Sequence, residues 1–258
     1  MSRPPEIRIY PGQTWPESAA ALIGREIEET VKRKGRMVLC LSGGSTPRRL
    51  YQSLVRPPWD RRCPWHSITF LFGDERCVPP DHAESNYAMA ETAFFRPLGI
   101  DPGRIYRMQG EHPDPASAAR DYEAVIRMVT NVPAPERSRL DAIFLGLGED
   151  GHTASLFPGD AALHEQRSLV TVGHSPKGVP LRLTLTLGAI NHASVILFLV
   201  TGSAKAQAVR RVLEPRTEAD RQLPASLVQP VDGRVFWLLD QEAAAALESV
   251  GSRRNDHA

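Results

Sequence analysis

The sequence predicts an α/β fold in which a mostly parallel sheet is flanked by helices on both faces. Short apolar runs alternate along the chain with longer segments of helical periodicity, the pattern of repeated strand and helix units. A chain of 258 residues with 41% hydrophobic residues can bury a sizeable core, and its length suits one large domain. We therefore expect a single domain over residues 1–258, with its core at about residues 7–240.

Apolar runs of strand length predict the sheet. They are Ile7–Tyr10, Met37–Leu41, Ile68–Phe72, Asp141–Gly146, Leu169–Val172, Leu181–Thr186, Val195–Val200 and Val235–Leu239. The first helix is predicted over Trp15–Arg33, opened by a capping box between Thr14 and Glu17 with Pro16 in the first turn. Further segments with helical periodicity are Pro47–Leu54, Asn86–Phe95, Ala116–Val129, Ser203–Val212 and Gln241–Leu247.

The composition favours a small ligand over a macromolecular partner. The net charge of +1 leaves no broad basic face for nucleic acid, so an anion has to be held locally by a few cations and backbone amides. The longest apolar run, Ala193–Val200, is too short to span a bilayer, and the N-terminus has no apolar signal segment. We expect a cytoplasmic protein, monomeric or weakly self-associating, without membrane or nucleic-acid partners.

The cysteines and histidines argue against a disulfide framework and a metal site. Cys40, Cys63 and Cys77 are odd in number and show no Cys-x-x-Cys spacing. The eight histidines are scattered and form no His-x-x-x-His pattern. The sequence therefore predicts reduced thiols and no bound metal.

The stretch "LGLGEDGHTASLFPG" contains a Gly-x-Gly-x-x-Gly pattern, which in a dinucleotide site places bare backbone against a pyrophosphate. Here the variable positions carry Glu149 and Asp150, whose charges would repel a pyrophosphate, and Pro158 ends any helix that starts at Gly151. No acidic residue closes a strand about twenty residues further on, where a ribose contact is expected. The stretch is therefore not typical of a dinucleotide site.

The same stretch instead presents an imidazole at the end of a strand. Ligands of parallel α/β sheets bind at the carboxyl ends of strands, so the turn with Asp150 and His152 is expected to face the crevice. Because the ordinary pKa of histidine is about 6.5, His152 can act as a general base near neutral pH, with Asp150 fixing its tautomer. The alternative is a turn stabilised by aspartate that carries a surface histidine.

A second strand ends in a turn rich in glycine and hydroxyl groups, followed by a helix. Its residues are Ser42, Gly43, Gly44, Ser45 and Thr46. Backbone N–H groups at the start of a helix, joined by these hydroxyls and by Arg48 or Arg49, form a candidate anion site. The turn matches neither a Walker loop nor a serine-hydrolase elbow, and the alternative is a plain connection with a hydroxyl cap.

Two more strand ends carry charged residues. Asp74, Glu75 and Arg76 follow one strand. Arg76 could neutralise charge in the crevice while Asp74 or Glu75 orients it. The alternative is that the three residues form a solvated loop. Ser85 and Asn86 are expected to cap the next helix. Further candidate cations near the same edge of the sheet are Lys205, Arg182 and Lys177. Lys205 lies in the first turn of a helix, where a bound anion would offset its repulsion by the helix dipole.

Taken in order, the motifs "LSGGSTP", "FGDERCVP" with "SN", "LGLGEDGHTASLFPG", "PKGVPLRLTLT" and "VTGSAKA" resemble the 6-phosphogluconolactonase family over about residues 7–240. The resemblance implies a Rossmann-like α/β fold, hydrolysis of 6-phospho-D-glucono-1,5-lactone in the oxidative pentose phosphate pathway, and no required cofactor. It also implies a role for each matching residue. His152 would be the base for water with support from Asp150, and Arg76 the electrophilic or orienting cation after Asp74 and Glu75. The phosphate would lie on residues 42–46 with Arg182 and Lys205.

Two other functions stay open from the sequence. A glucosamine-6-phosphate deaminase or a sugar-phosphate isomerase of the same fold shares the Gly-x-Gly-x-Asp-Gly-His block. Those enzymes usually continue with Asn-Glu-Pro and carry Asp-Glu-Tyr, where this chain has Thr-Ala-Ser and Asp-Glu-Arg. A non-catalytic sugar-phosphate sensor would have no need of Asp150 and His152.

Overall fold

The computed structural model describes residues 3–136 and 138–248, and its main element is a parallel sheet of six strands. In spatial order the strands are β1 (Glu6–Tyr10), β9 (Arg234–Asp240), β8 (Val195–Val200), β5 (Ala142–Leu145), β2 (Met37–Leu41) and β3 (Ile68–Phe72). Every neighbouring pair in this sheet is parallel. The predicted α/β class is confirmed, with strand bounds that differ from the prediction by at most two residues.

Three short strands form a second, antiparallel sheet. They are β4 (Asp74–Arg76), β6 (Val170–His174) and β7 (Leu181–Leu185), with β7 in the middle. The sequence predicts strands near β6 and β7 but not this separate sheet, because strand periodicity does not reveal which partner a strand pairs with. Asp74–Arg76, expected as a loop at a strand end, is itself a strand.

Nine α-helical segments connect these strands within the described residues. They are α1 (Trp15–Lys34), α2 (Ser45–Leu54), α3 (Trp59–Arg62), α4 (Asn86–Ala90), α5 (Arg96–Leu98), α6 (Pro115–Thr130), α7 (Leu187–Ile190), α8 (Ala206–Leu213) and α9 (Glu218–Arg221). A π-helical turn, Glu91–Phe95, follows α4, and a 3-10 turn, Ser203–Lys205, precedes α8. The predicted helices around residues 86–95 and 203–212 are thus each divided into two helical forms.

Two helix predictions are wrong in detail. The capping box at α1 does not form: the Thr14 side chain accepts no hydrogen bond from the helix, and its hydroxyl donates to the Pro11 carbonyl instead. Pro16 does lie in the first turn, as predicted. The segment predicted as a helix over Gln241–Leu247 instead forms turns over residues 241–246, where the Asp240 carboxylate accepts the Ala243 N–H directly after β9.

The core lies on both faces of the main sheet. Alternate residues of β8 point to opposite sides, so that Phe198 joins one apolar cluster and Leu197 the other. Trp15 of α1 and Tyr51 of α2 pack on the Leu197 side, whereas Tyr122 of α6 packs on the Phe198 side. No helix in the described residues is long and apolar enough to cross a membrane. The carboxyl ends of β8, β5, β2 and β3, four consecutive strands, lie at one edge of the sheet.

Candidate active site

A cavity of about 290 Å³ opens at this edge of the sheet. Its lining comprises residues 42–47, Asp74, Arg76, Asn86, residues 146–148, His152, Ala154, residues 199–201 and Lys205. The parallel sheet therefore brings together loops that are far apart in the sequence. The predicted anion turn, the imidazole and two of the predicted cations face one space.

The anion turn follows β2 and opens α2 without a side-chain cap. Gly44 precedes the helix with φ of +98°, a conformation that side-chain-bearing residues rarely adopt. Ser42 is buried, and both its N–H and its carbonyl bond to the Tyr51 hydroxyl, at 3.2 Å and 2.7 Å. The turn is thus held from behind, while the first N–H groups of α2 have no side-chain cap, an arrangement that suits an anion.

A second turn, after β8, lies beside the first. Thr201 Oγ1 is 2.7 Å from Thr46 Oγ1, which links the two turns directly. Gly202 donates its N–H to both carboxylate oxygens of the buried Asp240, at 3.0 Å each. This bond fixes the start of the 3-10 turn, whose last residue, Lys205, lines the cavity. A phosphate bound here would meet two turns and one ammonium group.

His152 lies in the turn after β5 and is oriented by Asp150. The His152 Nδ1 atom is 2.6 Å from Asp150 Oδ1, and the same oxygen accepts the His152 backbone N–H at 3.1 Å. A carboxylate on Nδ1 fixes the tautomer with the proton on Nδ1, which leaves Nε2 free to accept a proton. The ring also packs against Phe157, with a centroid distance of 4.5 Å.

Asp150 is kept ionised in this contact. Partial burial would raise its pKa, but the hydrogen bonds from the His152 backbone and ring outweigh that effect and lower the pKa below its ordinary value. Asp150 does not line the cavity. Its place behind the ring suits a residue that orients a base rather than one that contacts the substrate.

The turn that carries His152 depends on two glycines. A Cβ on Gly148 would lie 2.0 Å from His152 Nδ1 and 2.5 Å from Asp150 Oδ1, so only glycine leaves room for the pair. Gly151 has φ of +85° and packs on Leu223. Of the glycine pattern seen in the sequence, Gly148 therefore makes space for the imidazole and carboxylate, and Gly151 supplies the left-handed backbone of the turn.

Arg76 and Asp74 also line the cavity. Arg76 Nη1 donates to the Glu84 carbonyl at 2.6 Å and to Asn86 Oδ1 at 2.8 Å. Its Nε is buried and has no hydrogen-bond partner among the described residues. The buried Asp74 accepts a hydrogen bond from Ser155 Oγ at 2.7 Å. The site thus holds a guanidinium whose donors are only partly used.

Glu75, expected among the substrate-binding residues, lies outside the cavity lining. Its carboxylate is buried and accepts four hydrogen bonds, from the N–H groups of Arg76, Asn86 and Tyr87 and from the Ser85 hydroxyl. Burial raises the pKa of Glu75, and the three N–H donors act in the opposite direction. Because successive residues of a strand point to opposite faces, Glu75 lies behind the site that Asp74 and Arg76 face.

The raised pKa of Glu75 predicts a pH-dependent stability. Between about pH 4.3, the unfolded value, and the higher folded pKa, the folded protein binds more protons than the unfolded chain, so the contribution of Glu75 to stability is lost as the pH rises through its folded pKa. The test compares the free energy of unfolding of the wild type with that of Glu75→Gln. We expect the wild type's advantage over the variant to be larger at about pH 4.5 than at about pH 7.5. Urea titrations at the two pH values measure this difference, and an increase toward the higher pH would contradict the prediction.

The remaining candidate cations are not in the cavity lining. Arg182 is buried and lies opposite Arg76 in the register of the antiparallel strands β4 and β7. Its Nε donates a hydrogen bond to the Val179 carbonyl. Burial, reinforced by the Arg76 charge, lowers the pKa of Arg182. Arg49 donates to the Gly12 carbonyl, while Arg48 lines a separate groove. Lys177 is exposed in the turn between β6 and β7.

Three residues at the site were not expected from the sequence as functional. Asn86, expected only as a helix cap, is buried and lines the cavity, while Ser85 is the actual cap of α4. Thr201 and Asp240 build the second turn. For Asp240 the sequence offers one signal of a role at the site, since this residue directly follows a predicted strand at its carboxyl end. In the described part of the chain, no group of three or more His, Cys, Asp or Glu side chains is placed to hold a metal ion.

Comparison with known proteins gives one consistent relationship. A family model described as glucosamine-6-phosphate isomerases/6-phosphogluconolactonase matches residues 13–237. The chain is 40% identical over 232 residues to a 6-phosphogluconolactonase of Synechocystis. The alignment covers 90% of this chain and 93% of that protein. The solved 6-phosphogluconolactonase of Trypanosoma cruzi has a TM-score of 0.82 at 31% identity, over 96% of this chain and 98% of that one. A monomeric glucosamine-6-phosphate deaminase has a TM-score of 0.77 at 26% identity, over 93% of this chain and 99% of that one.

Proposed function

The chain belongs to the glucosamine-6-phosphate isomerase/6-phosphogluconolactonase family and hydrolyses 6-phosphogluconolactone to 6-phosphogluconate, and we propose that His152 is the general base of this reaction. The observation that carries the proposal is the single cavity lined by the anion turn, Lys205 and His152. A sugar phosphate anchored at the two turns can present its lactone carbonyl to the imidazole. We further propose that the substrate is the 1,5-lactone and that the enzyme acts in the cytosol, in the oxidative pentose phosphate pathway.

The reaction starts with attack of water on the lactone carbonyl. His152 Nε2 takes a proton from the water while the water oxygen bonds to C1, the carbonyl carbon of the lactone. The Asp150 carboxylate stabilises the imidazolium that forms. The carbonyl oxygen becomes an oxyanion, which the guanidinium of Arg76 stabilises. When the intermediate collapses, the bond between C1 and the ring oxygen breaks, and the imidazolium returns its proton to that oxygen. The carboxylic acid then ionises, so each turnover releases one proton.

Proton release tests the function directly. Lactone generated enzymatically from glucose 6-phosphate is mixed with the protein, and acid release is followed against the spontaneous rate. A sugar-phosphate sensor would bind 6-phosphogluconate without raising that rate. A deaminase would instead release ammonia from glucosamine 6-phosphate, and either result would reject the lactonase assignment.

Lys205→Ala is expected to weaken substrate binding with little effect on the chemical step. Loss of one charge-assisted hydrogen bond to a phosphate should raise KM about tenfold or more and leave kcat within about threefold. Initial rates across substrate concentrations separate the two constants. Lys177→Ala removes an equal charge from an exposed turn outside the cavity lining and should leave both constants unchanged. A kcat loss larger than the rise in KM would contradict the anchoring role.

A further inference from the structure

The Asn86 side chain makes contacts that helix capping does not require. It is 1% exposed, and each end of its amide meets a residue that lines the cavity. Oδ1 accepts a hydrogen bond from Arg76 Nη1 at 2.8 Å, while Nδ2 donates to the Asp74 carbonyl at 2.8 Å and to Asp74 Oδ1 at 3.3 Å. An amide offers an acceptor to a guanidinium from one end and a donor to a carboxylate from the other at the same time.

The environment determines which way the amide points. The reversed amide would place its NH₂ against the Arg76 donor and its oxygen against the oxygens of Asp74, so both contacts would be repulsive. An aspartate would place a second carboxylate against Asp74 in a buried site, with the desolvation cost that this implies. The neighbours therefore specify asparagine in one orientation.

Asn86 also lies directly on the anion turn. A Cβ on Gly43 would be 1.7 Å from Asn86 Oδ1, so the amide occupies the space that any other residue at position 43 would fill. Gly43 does not need glycine for its backbone, since its φ lies outside the left-handed region. Its lack of a side chain is required by the contact with Asn86.

The backbone of Asn86 is fixed as well. Its N–H donates to Glu75 Oε1 at 2.7 Å, in the carboxylate network behind the cavity. Asn86 thus connects three parts of the site: the anion turn through Gly43, the strand β4 through Asp74, and the guanidinium of Arg76. Few of these contacts would be needed to start a helix of five residues.

We propose that Asn86 is a positioning residue, which sets the place of the Arg76 guanidinium relative to the anion turn. This inference rests on the lactonase function and on the role of Arg76 proposed above. Asn86 acts through Arg76 and is not expected to touch the reacting atoms. Without this acceptor, the Glu84 carbonyl is the one hydrogen-bond acceptor left for Arg76 Nη1 in the described part of the chain, and the guanidinium would meet the developing oxyanion in fewer of its conformations.

A double-mutant cycle tests the inference. The wild type, Asn86→Ala, Arg76→Ala and the double variant are compared by kcat and KM for the lactone, with unfolding followed in parallel. We expect Asn86→Ala to lower kcat/KM on the order of tenfold to a hundredfold in the wild-type background, and less than about threefold when Arg76 is already alanine. Asn86→Ser removes the same amide and is carried through the same cycle, in case the alanine variant does not fold.

Ser85→Ala is the matched control. Ser85 is the buried neighbour of Asn86, and its hydroxyl bonds to the Ala88 N–H and to Glu75 without contacting Arg76. It should lower stability and leave kcat/KM within about twofold of the wild type. Equal losses from Asn86→Ala in both backgrounds, or a loss below twofold in the wild-type background, would overturn the positioning role. An inactive wild type would instead reject the lactonase function itself, so the two failures are distinguishable.

Discussion

Replacing His152 by alanine is expected to lower kcat about a thousandfold while KM changes by less than about threefold. The imidazole lines the cavity and can accept a proton from water, and its Nδ1 is already engaged by Asp150 at 2.6 Å. The anion turn and Lys205 are untouched by the change, so the substrate should still bind. Proton release at saturating lactone, corrected for spontaneous hydrolysis, measures the effect.

A second histidine provides the control for His152→Ala. His174 also faces a carboxylate, with Nδ1 at 3.3 Å from Asp160 Oδ1, but it is exposed at the end of β6 and does not line the cavity. His174→Ala removes a similar contact between an imidazole and a carboxylate and should leave kcat unchanged. If His152→Ala kept more than about a tenth of the wild-type kcat, another group would have to be the base.

The main parts of the site could be predicted because each lies at the end of an apolar strand of a parallel sheet. The residues after β2, β5 and β8 were expected at one edge, and the structure places Thr46, His152 and Lys205 around one cavity there. The sequence indicates Asp150 as the candidate partner of His152, at a spacing of two residues that does not guarantee contact. That spacing alone does not bring side chains together; the tight turn between Gly148 and Gly151 does.

The remaining parts depend on long-range pairing, which local patterns do not encode. The strand β4 exists because it pairs with β7, more than a hundred residues away. That pairing turns Glu75 away from the cavity, although it stands between two residues that line it. Asn86 is similar: its sequence neighbours indicate a helix cap, but its role is set by Gly43 and Arg76, which only the fold brings to it.

Gly148→Ala is expected to abolish most of the activity without removing any functional group. The new methyl carbon would lie 2.0 Å from His152 Nδ1, so either the ring or the backbone of the turn has to move. The backbone itself tolerates alanine, because φ of Gly148 is not in the left-handed region. Displacement of a general base by about 1 Å costs on the order of a hundredfold in rate, and we expect a loss of kcat of about that size.

The glycine two residues before Gly148 separates this effect from a general disturbance of the turn. Gly146→Ala adds the same methyl group to the same segment, but no heavy atom lies within 4 Å of the added carbon. It should therefore keep the hydrogen bond between Asp150 and His152, which Gly148→Ala should disturb; because Gly146 lines the cavity, this hydrogen bond and not kcat is the readout of the control. The imidazole Nδ1 proton, followed by NMR in both variants, reports on that hydrogen bond independently of turnover. A Gly148→Ala enzyme with normal kcat would mean that the base need not lie where the Asp150 contact holds it, and the assignment of His152 would lose its geometric support.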